Sequence, residues 1–230
     1  MPYWHSRDGW NGHRRTPAER VPSSGGMDDL LADLPRLRIG ATFNQYADAG
    51  PNDVPGAAAI RLANLRTYLE ERAGADVVCL GEAGGYQGMR WSGIAFTSER
   101  DLLRWGSPYA VTCAARCWSE PSGTIVHKVL EELGAERRVI LWNTVPTHPH
   151  RPGEPLSNRR PAVAEVEAGA SIAMRLIELV QPRIVVAVGR IAESVLPPGT
   201  VYVRHPANAG GPAFREGMRA ILGAPSRAPI

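Results

Sequence analysis

Three polar side chains stand where apolar runs stop. Glu82 follows Val77-Val78-Cys79-Leu80-Gly81, Asn143 closes Val139-Ile140-Leu141-Trp142, and His205 follows Val201-Tyr202-Val203-Arg204. A carboxylate can orient water or take a proton. An amide offers donors and an acceptor on one rigid plane. An imidazole supplies a donor to developing charge. Around Glu82, four glycines fall within eight residues, at Gly81, Gly84, Gly85 and Gly88. Glycine there lets the backbone turn sharply and lets a ligand approach the main chain. Fourteen residues past Glu82, Phe96 lies in Gly93-Ile94-Ala95-Phe96-Thr97, a flat ring able to stack on a planar ligand. The glycines do not make a dinucleotide fingerprint, because no Gly-x-Gly-x-x-Gly runs directly into a helix. By itself the stretch also fits an ordinary strand-to-loop turn with a solvated glutamate.

The elements that must position these groups alternate in type. The patterning predicts strands over 77–80, 138–144, 183–188 and 199–204, each a short apolar run rich in β-branched residues. Helical spacing predicts helices over 27–34, 57–72, 101–105, 123–133, 162–180, 191–196 and 214–222. Residues 37–43 read as a short strand or an extended link, and 146–161 as a long loop dense in Pro, His and Arg. Strands alternating with helices imply an α/β fold: three layers, α/β/α, around a central four-stranded, mainly parallel sheet. Open sheets of this kind carry their sites at the carboxyl ends of the strands. Glu82, Asn143 and His205 are all expected at that edge.

At 230 residues the chain is long enough for one substantial core. Residues 1–26 lack either period and read as an irregular arm, leaving 27–230 as the domain. The net charge is +3 and the sequence pI about 9.0. That suits a polyanionic partner without establishing one. Of the 26 basic residues only Lys128 is a lysine. The three cysteines, Cys79, Cys113 and Cys117, argue against a disulfide framework. Cys113 and Cys117 alone are too few for a zinc or iron–sulfur site. No apolar run approaches the length of a membrane span. The expectation is a soluble, cytoplasmic monomer without a metal.

In this order, the motifs resemble the uracil-DNA glycosylase superfamily over roughly 37–222. Gly81-Glu82-Ala83-Gly84-Gly85 is similar to its first motif, with the Gly-Glu-Ala opening of the thermostable iron–sulfur branch. The spacing to Phe96 instead resembles the branch whose phenylalanine stacks on uracil. Val139-Ile140-Leu141-Trp142-Asn143 resembles the strand whose asparagine reads the base edge. His205-Pro206-Ala207-Asn208 resembles the motif whose histidine polarises uracil O2. There are departures. Ala83 replaces a water-orienting aspartate, the cluster cysteines are missing, Gly84 replaces a frequent proline, and Gly85 replaces a tyrosine that blocks the thymine methyl.

The resemblance implies a glycosylase that hydrolyses the bond between uracil and deoxyribose in single- or double-stranded DNA, with no cofactor. Glu82 and His205 would be catalytic. Gly81, Ala83, Gly84, Gly85, Tyr86, Phe96 and Asn143 would bind the base, with Tyr86 replacing the missing methyl block. Ser157, Arg159, Arg204, Asn208, Gly210 and Arg215 would hold DNA, with Arg160 near them and Phe214 as a weak wedge candidate. No lysine lies near the motifs, which argues against a Schiff-base step. Three other readings stay open: a non-catalytic module for uracil or abasic DNA, a glycosylase for another deaminated base such as hypoxanthine or xanthine, and an enzyme acting on a free nucleoside.

Overall fold

The computed structural model describes residues 24–223. The arm expected over 1–26 lies outside the described residues except for its last three, which begin the first helix. Six strands are described. β1 (Thr42–Phe43) and β4 (His148–Pro149) form a small antiparallel ribbon. β2 (Val77–Ala83), β3 (Val139–Val145), β5 (Ile184–Val188) and β6 (Val201–Val203) form the main sheet. Its order is β3-β2-β5-β6, and every pairing in it is parallel. The helices are α1 (Ser24–Asp33), α2 (Ala57–Glu70), α3 (Met89–Ser92), α4 (Glu99–Trp105), α5 (Pro121–Glu132), α6 (Val163–Val180), α7 (Arg190–Val195) and α8 (Gly211–Leu222). They flank the sheet, so the expected α/β architecture is the observed one.

Sequence dictates much of this locally. Val77 to Leu80 and all of β3 are buried on both faces, as near-continuous apolar strands of a covered parallel sheet must be. Each fully buried aliphatic side chain contributes about 1.5–3 kcal/mol by leaving water. The start of α4 is set by a capping box, in which the Asp101 carboxylate accepts from both the backbone N–H and the hydroxyl of Ser98, at 2.9 and 2.6 Å. Pro121 begins α5, where a missing N–H costs no helical bond. α6 lies directly on β3, because a Cβ on Gly169 would stand 2.3 Å from the Thr144 carbonyl oxygen. Over 37–43, expected as a short strand or an extended link, only Thr42–Phe43 pairs as a strand among the described residues. α3 was not legible as a helix, since Met89-Arg90-Trp91-Ser92 is a single turn between two glycines.

The edge strand β3 is sealed on its open side. The Leu141 backbone N–H donates to the Tyr68 hydroxyl of α2 at 2.9 Å. A covered edge is protected from pairing with another chain. Tyr68→Phe keeps the ring and leaves that buried N–H without an acceptor. It should lower the unfolding free energy by about 1–3 kcal/mol, seen as a lower urea midpoint with an unchanged slope. An unchanged midpoint would show that Leu141 does not depend on Tyr68.

Candidate active site

The parallel register pairs Gly81 with Asn143. With no Cβ at Gly81, two groups move into the vacant space. A Cβ there would lie 2.5 Å from Phe96 Cζ and 2.6 Å from Asn143 Oδ1. Asn143 is buried, and its amide nitrogen reaches only the Met89 sulfur, at 3.2 Å. Thioether sulfur is a weak acceptor, so the amide holds hydrogen-bonding capacity in reserve. Phe96 sits at φ +53, a left-handed conformation uncommon outside glycine. Its ring bridges the sheet edge to the far side, with its centroid 5.6 Å from that of His205. Gly189, at the end of β5, lets the His205 Cβ pass close by.

The state of His205 follows from its neighbours. The backbone N–H of Ala207 donates to Nδ1 at 3.1 Å, so this nitrogen accepts. Burial pushes the imidazole pKa below its ordinary value. A neutral ring with Nδ1 accepting carries its proton on Nε2. Glu82 is half-buried, and burial raises its carboxyl above the usual range, opposed by the nearby Arg160 guanidinium. Two adjoining hollows share Glu82. One of about 440 Å³ also meets Ala83, Gly84, Gly85, His205 and Asn208. The other, about 490 Å³, meets Arg160, Arg190 and Ile191.

The glycine-rich turn is pinned from across the cleft. Gly84 donates its N–H to the Thr147 carbonyl at 3.1 Å, and the Gly84 carbonyl lies 2.8 Å from His148 Nδ1. Burial lowers the His148 pKa to about 4, opposed by the Gly84 and Pro155 carbonyls that face its two ring nitrogens at 2.8 and 3.2 Å. The Tyr86 N–H donates to Asn158 Oδ1 at 3.0 Å.

Residues 70–226 match the family model for the Uracil DNA glycosylase superfamily. The chain belongs to that superfamily. Among solved structures, it is similar to wild-type SMUG2 of Pedobacter heparinus, with a TM-score of 0.62 and 14% sequence identity, over 86% of this chain and 97% of that one. At that identity the likeness speaks for the fold. No curated protein matches the chain. Membership supports a glycosylase-type activity on DNA.

Against that background, several expected DNA or base contacts are corrected. Arg159 has no donor to spare for a phosphate. Its Nε donates to the His150 carbonyl, Nη1 to Glu165 Oε2 and the Arg160 carbonyl, and Nη2 to Glu165 Oε1 and the Ala41 carbonyl. Ser157 is buried, with its hydroxyl donating to the Glu154 carbonyl and accepting from the Arg151 N–H. Arg215 pairs with Glu132, on the last turn of α5. Gly210 serves its turn, since a Cβ there would stand 2.0 Å from the His205 carbonyl oxygen and its N–H donates to the Ala207 carbonyl. Phe214 is buried in the core and cannot act as a wedge. The Tyr86 ring packs edge-on against Trp118, with centroids 5.7 Å apart, and Tyr86, Phe96 and Asn143 all lie outside the lining of the hollow that Glu82 and His205 share. Arg204 and Asn208 remain exposed at the cleft.

Sequence reasoning missed His148, Asn158, Glu165 and Glu120. Spacing signals neither a buried tether nor a buried carboxyl. Only Glu165 had a local signal, three residues past the residue that caps its helix, where its carboxylate accepts from the Ala162 N–H.

Removing the Arg159–Glu165 clamp should loosen the loop that holds the site. Arg159 and hydrogen bonds from the Ala162 and Ala41 N–H groups depress the Glu165 pKa below 4.5. A depressed folded pKa contributes stability above the unfolded value, lost as pH falls through the folded one. Glu165→Gln is therefore expected to destabilise by about 2–4 kcal/mol at pH 7, with the gap from wild type closing as the pH falls below 4.5. A gap that stays constant with pH would separate Glu165 from the clamp.

Proposed function

We propose that the protein is a monofunctional uracil-DNA glycosylase that hydrolyses the bond between uracil and deoxyribose, the opening step of base-excision repair. The observation that carries this reading is the neutral His205, with its Nδ1 occupied by the Ala207 N–H and its ring beside Phe96.

The chemistry asks for three things. The departing uracil carries negative charge over its carbonyl oxygens, and the Nε2–H of His205 is a donor for that charge at O2. A neutral donor does this without first having to take up a proton. The sugar left behind is cationic. Glu82, ionised, offsets that charge and aims the attacking water. Its desolvation, which raises the pKa, makes it a stronger base for the same reason. Ala83 supplies no carboxylate, so this work falls to Glu82. The Asn143 amide matches the O4 and N3–H edge of uracil. Cytosine offers the reverse pattern and would leave buried groups unpaired. Phe96 stacks on the base, which must leave the duplex to reach the site. Arg204, Arg160 and Asn208 are the side chains at the rim to meet phosphates. The reaction uses water and no cofactor.

A second reading, removal of another deaminated base, is favoured by one observation. Gly85 carries no side chain and Tyr86 is turned onto Trp118, so no bulky ring stands on that side of the cleft.

The test is strand cleavage after hot alkali, using enzyme in excess over oligonucleotides carrying one uracil, thymine, hypoxanthine or cytosine. The proposal expects cutting at uracil and none at cytosine. Cutting at hypoxanthine alone would favour the second reading. Salt-sensitive binding without cutting would make the protein a binding module. Asn143→Ala should slow uracil release by about 100-fold or more, the cost of leaving base and site groups unpaired. A near-wild-type single-turnover rate would remove Asn143 from the pocket. Arg204→Ala should weaken binding and reduce the salt slope by about one; an unchanged slope would remove Arg204 from the phosphate contacts.

A further inference from the structure

One acid in the cleft has no assigned task. Glu120, just before α5, lines the same hollow as Glu82 and His205. Its carboxyl is set in a notch made by three glycines. A Cβ on Gly88 would stand 2.0 Å from Glu120 Oε2, one on Gly123 3.2 Å from the same atom, and one on Gly85 3.2 Å from Oε1. Any side chain at Gly88 would displace the carboxyl. The residue is only partly buried, yet Oε2 is sealed from solvent and has no hydrogen-bond partner among the described residues.

A sealed carboxylate without a cation or donor costs several kcal/mol, and the neutral acid costs far less. The neutral acid can set Oε2 in the notch as its carbonyl oxygen and present its O–H from Oε1 toward the hollow, where it needs an acceptor. The position matters as well: the carboxyl stands beside Gly85, on the side of the cleft that Tyr86 leaves open.

We propose that Glu120 is a specificity-determining residue whose neutral carboxyl donates a hydrogen bond to a carbonyl oxygen of the extruded base, selecting a keto base over an amino base. The proposal rests on the glycosylase reading above. No covalent step is involved, and the proton stays on Glu120. The environment agrees with the geometry. Burial, reinforced by the charge of Asp101 on α4, raises the Glu120 pKa to about 7. The other charged and titratable groups lining this hollow are Glu82, His205, Arg159, Arg190, Arg204 and Tyr202.

The experiment is single-turnover uracil release from a labelled oligonucleotide between about pH 5.5 and pH 9, for the wild type, Glu120→Gln, Glu120→Ala and Gly88→Ala. A required neutral acid makes the wild-type rate fall toward tenfold per pH unit above its pKa. Glu120→Gln keeps a neutral donor and should stay within a few-fold of wild type at pH 6 while losing the alkaline fall. Glu120→Ala should slow release by about 10- to 100-fold, the worth of a buried hydrogen bond with its partner left unsatisfied. Gly88→Ala, which displaces the carboxyl and leaves the acid in the chain, should behave like Glu120→Ala. Three results would overturn the proposal: a wild-type rate that rises through pH 7, an alkaline fall retained in Glu120→Gln, or a wild-type rate in Glu120→Ala. If the wild type releases no uracil at all, the glycosylase reading falls and takes this one with it. If the wild type releases uracil and Glu120→Ala matches it, this inference alone falls.

Discussion

The site depends on one missing methyl group. At Gly81 the parallel register brings Asn143 alongside, and the ring of Phe96 occupies the space a side chain would fill. Neighbouring strands lie about 4.8 Å apart, so β3 and β6, at opposite edges of the sheet, are separated by more than any one polar side chain spans. Phe96 closes that distance. It touches the Gly81–Asn143 pair on one side and stands over His205 on the other. Its left-handed backbone is a local cost, of order 1–3 kcal/mol for such strained conformations, maintained by the packing around it. The α5 residue Gly123 contributes to that packing, since a Cβ there would meet the Phe96 carbonyl oxygen at 2.3 Å.

The electrostatics of the cleft follow a single theme, the use of groups whose charge is withheld. His205 is kept neutral by burial and oriented by a backbone N–H. Glu82 and Glu120 both have raised pKa values because water is kept from them. Their surroundings still differ. Arg160 lies near Glu82 and favours its ionised form, whereas Asp101 near Glu120 opposes ionisation. Both carboxyls are thus shifted toward the neutral acid, Glu120 with a neighbouring charge adding to the shift and Glu82 with one opposing it. The arginines differ as well. Arg159 spends every donor on internal acceptors, while Arg204 makes one bond, to the Asn208 carbonyl at 3.2 Å, among the described residues. Basic residues around a site are therefore not equivalent, and the count of arginines overstates the phosphate-binding capacity.

The parts legible in the sequence were those fixed by local chemistry. Val77 to Leu80 and Val139 to Trp142 could hardly be anything but buried strands, and the polar residues that end them fall at the sheet edge for the same reason. Directions of side chains were not legible. Tyr86 turns to Trp118 because Trp91 and Trp118 stack with centroids 5.7 Å apart and offer an aromatic surface there, a contact no spacing announces. Arg159 looks like a surface base until Glu165, six residues on and one turn into a helix, is seen to face it. Glu120 stands in Ser-Glu-Pro, where no spacing marks it. Only the packing of Gly85, Gly88 and Gly123 reveals that its carboxyl is enclosed.

The most direct test of the account is a crystal structure of the protein with a duplex whose uracil nucleotide carries a 2′-fluorine, which destabilises the sugar cation and so blocks release of the base. The account predicts an extruded uracil stacked on Phe96, O2 at His205 Nε2, and the O4 and N3–H edge on the Asn143 amide. A base bound in the cleft away from Phe96 and Asn143, or a histidine meeting it through Nδ1, would contradict it.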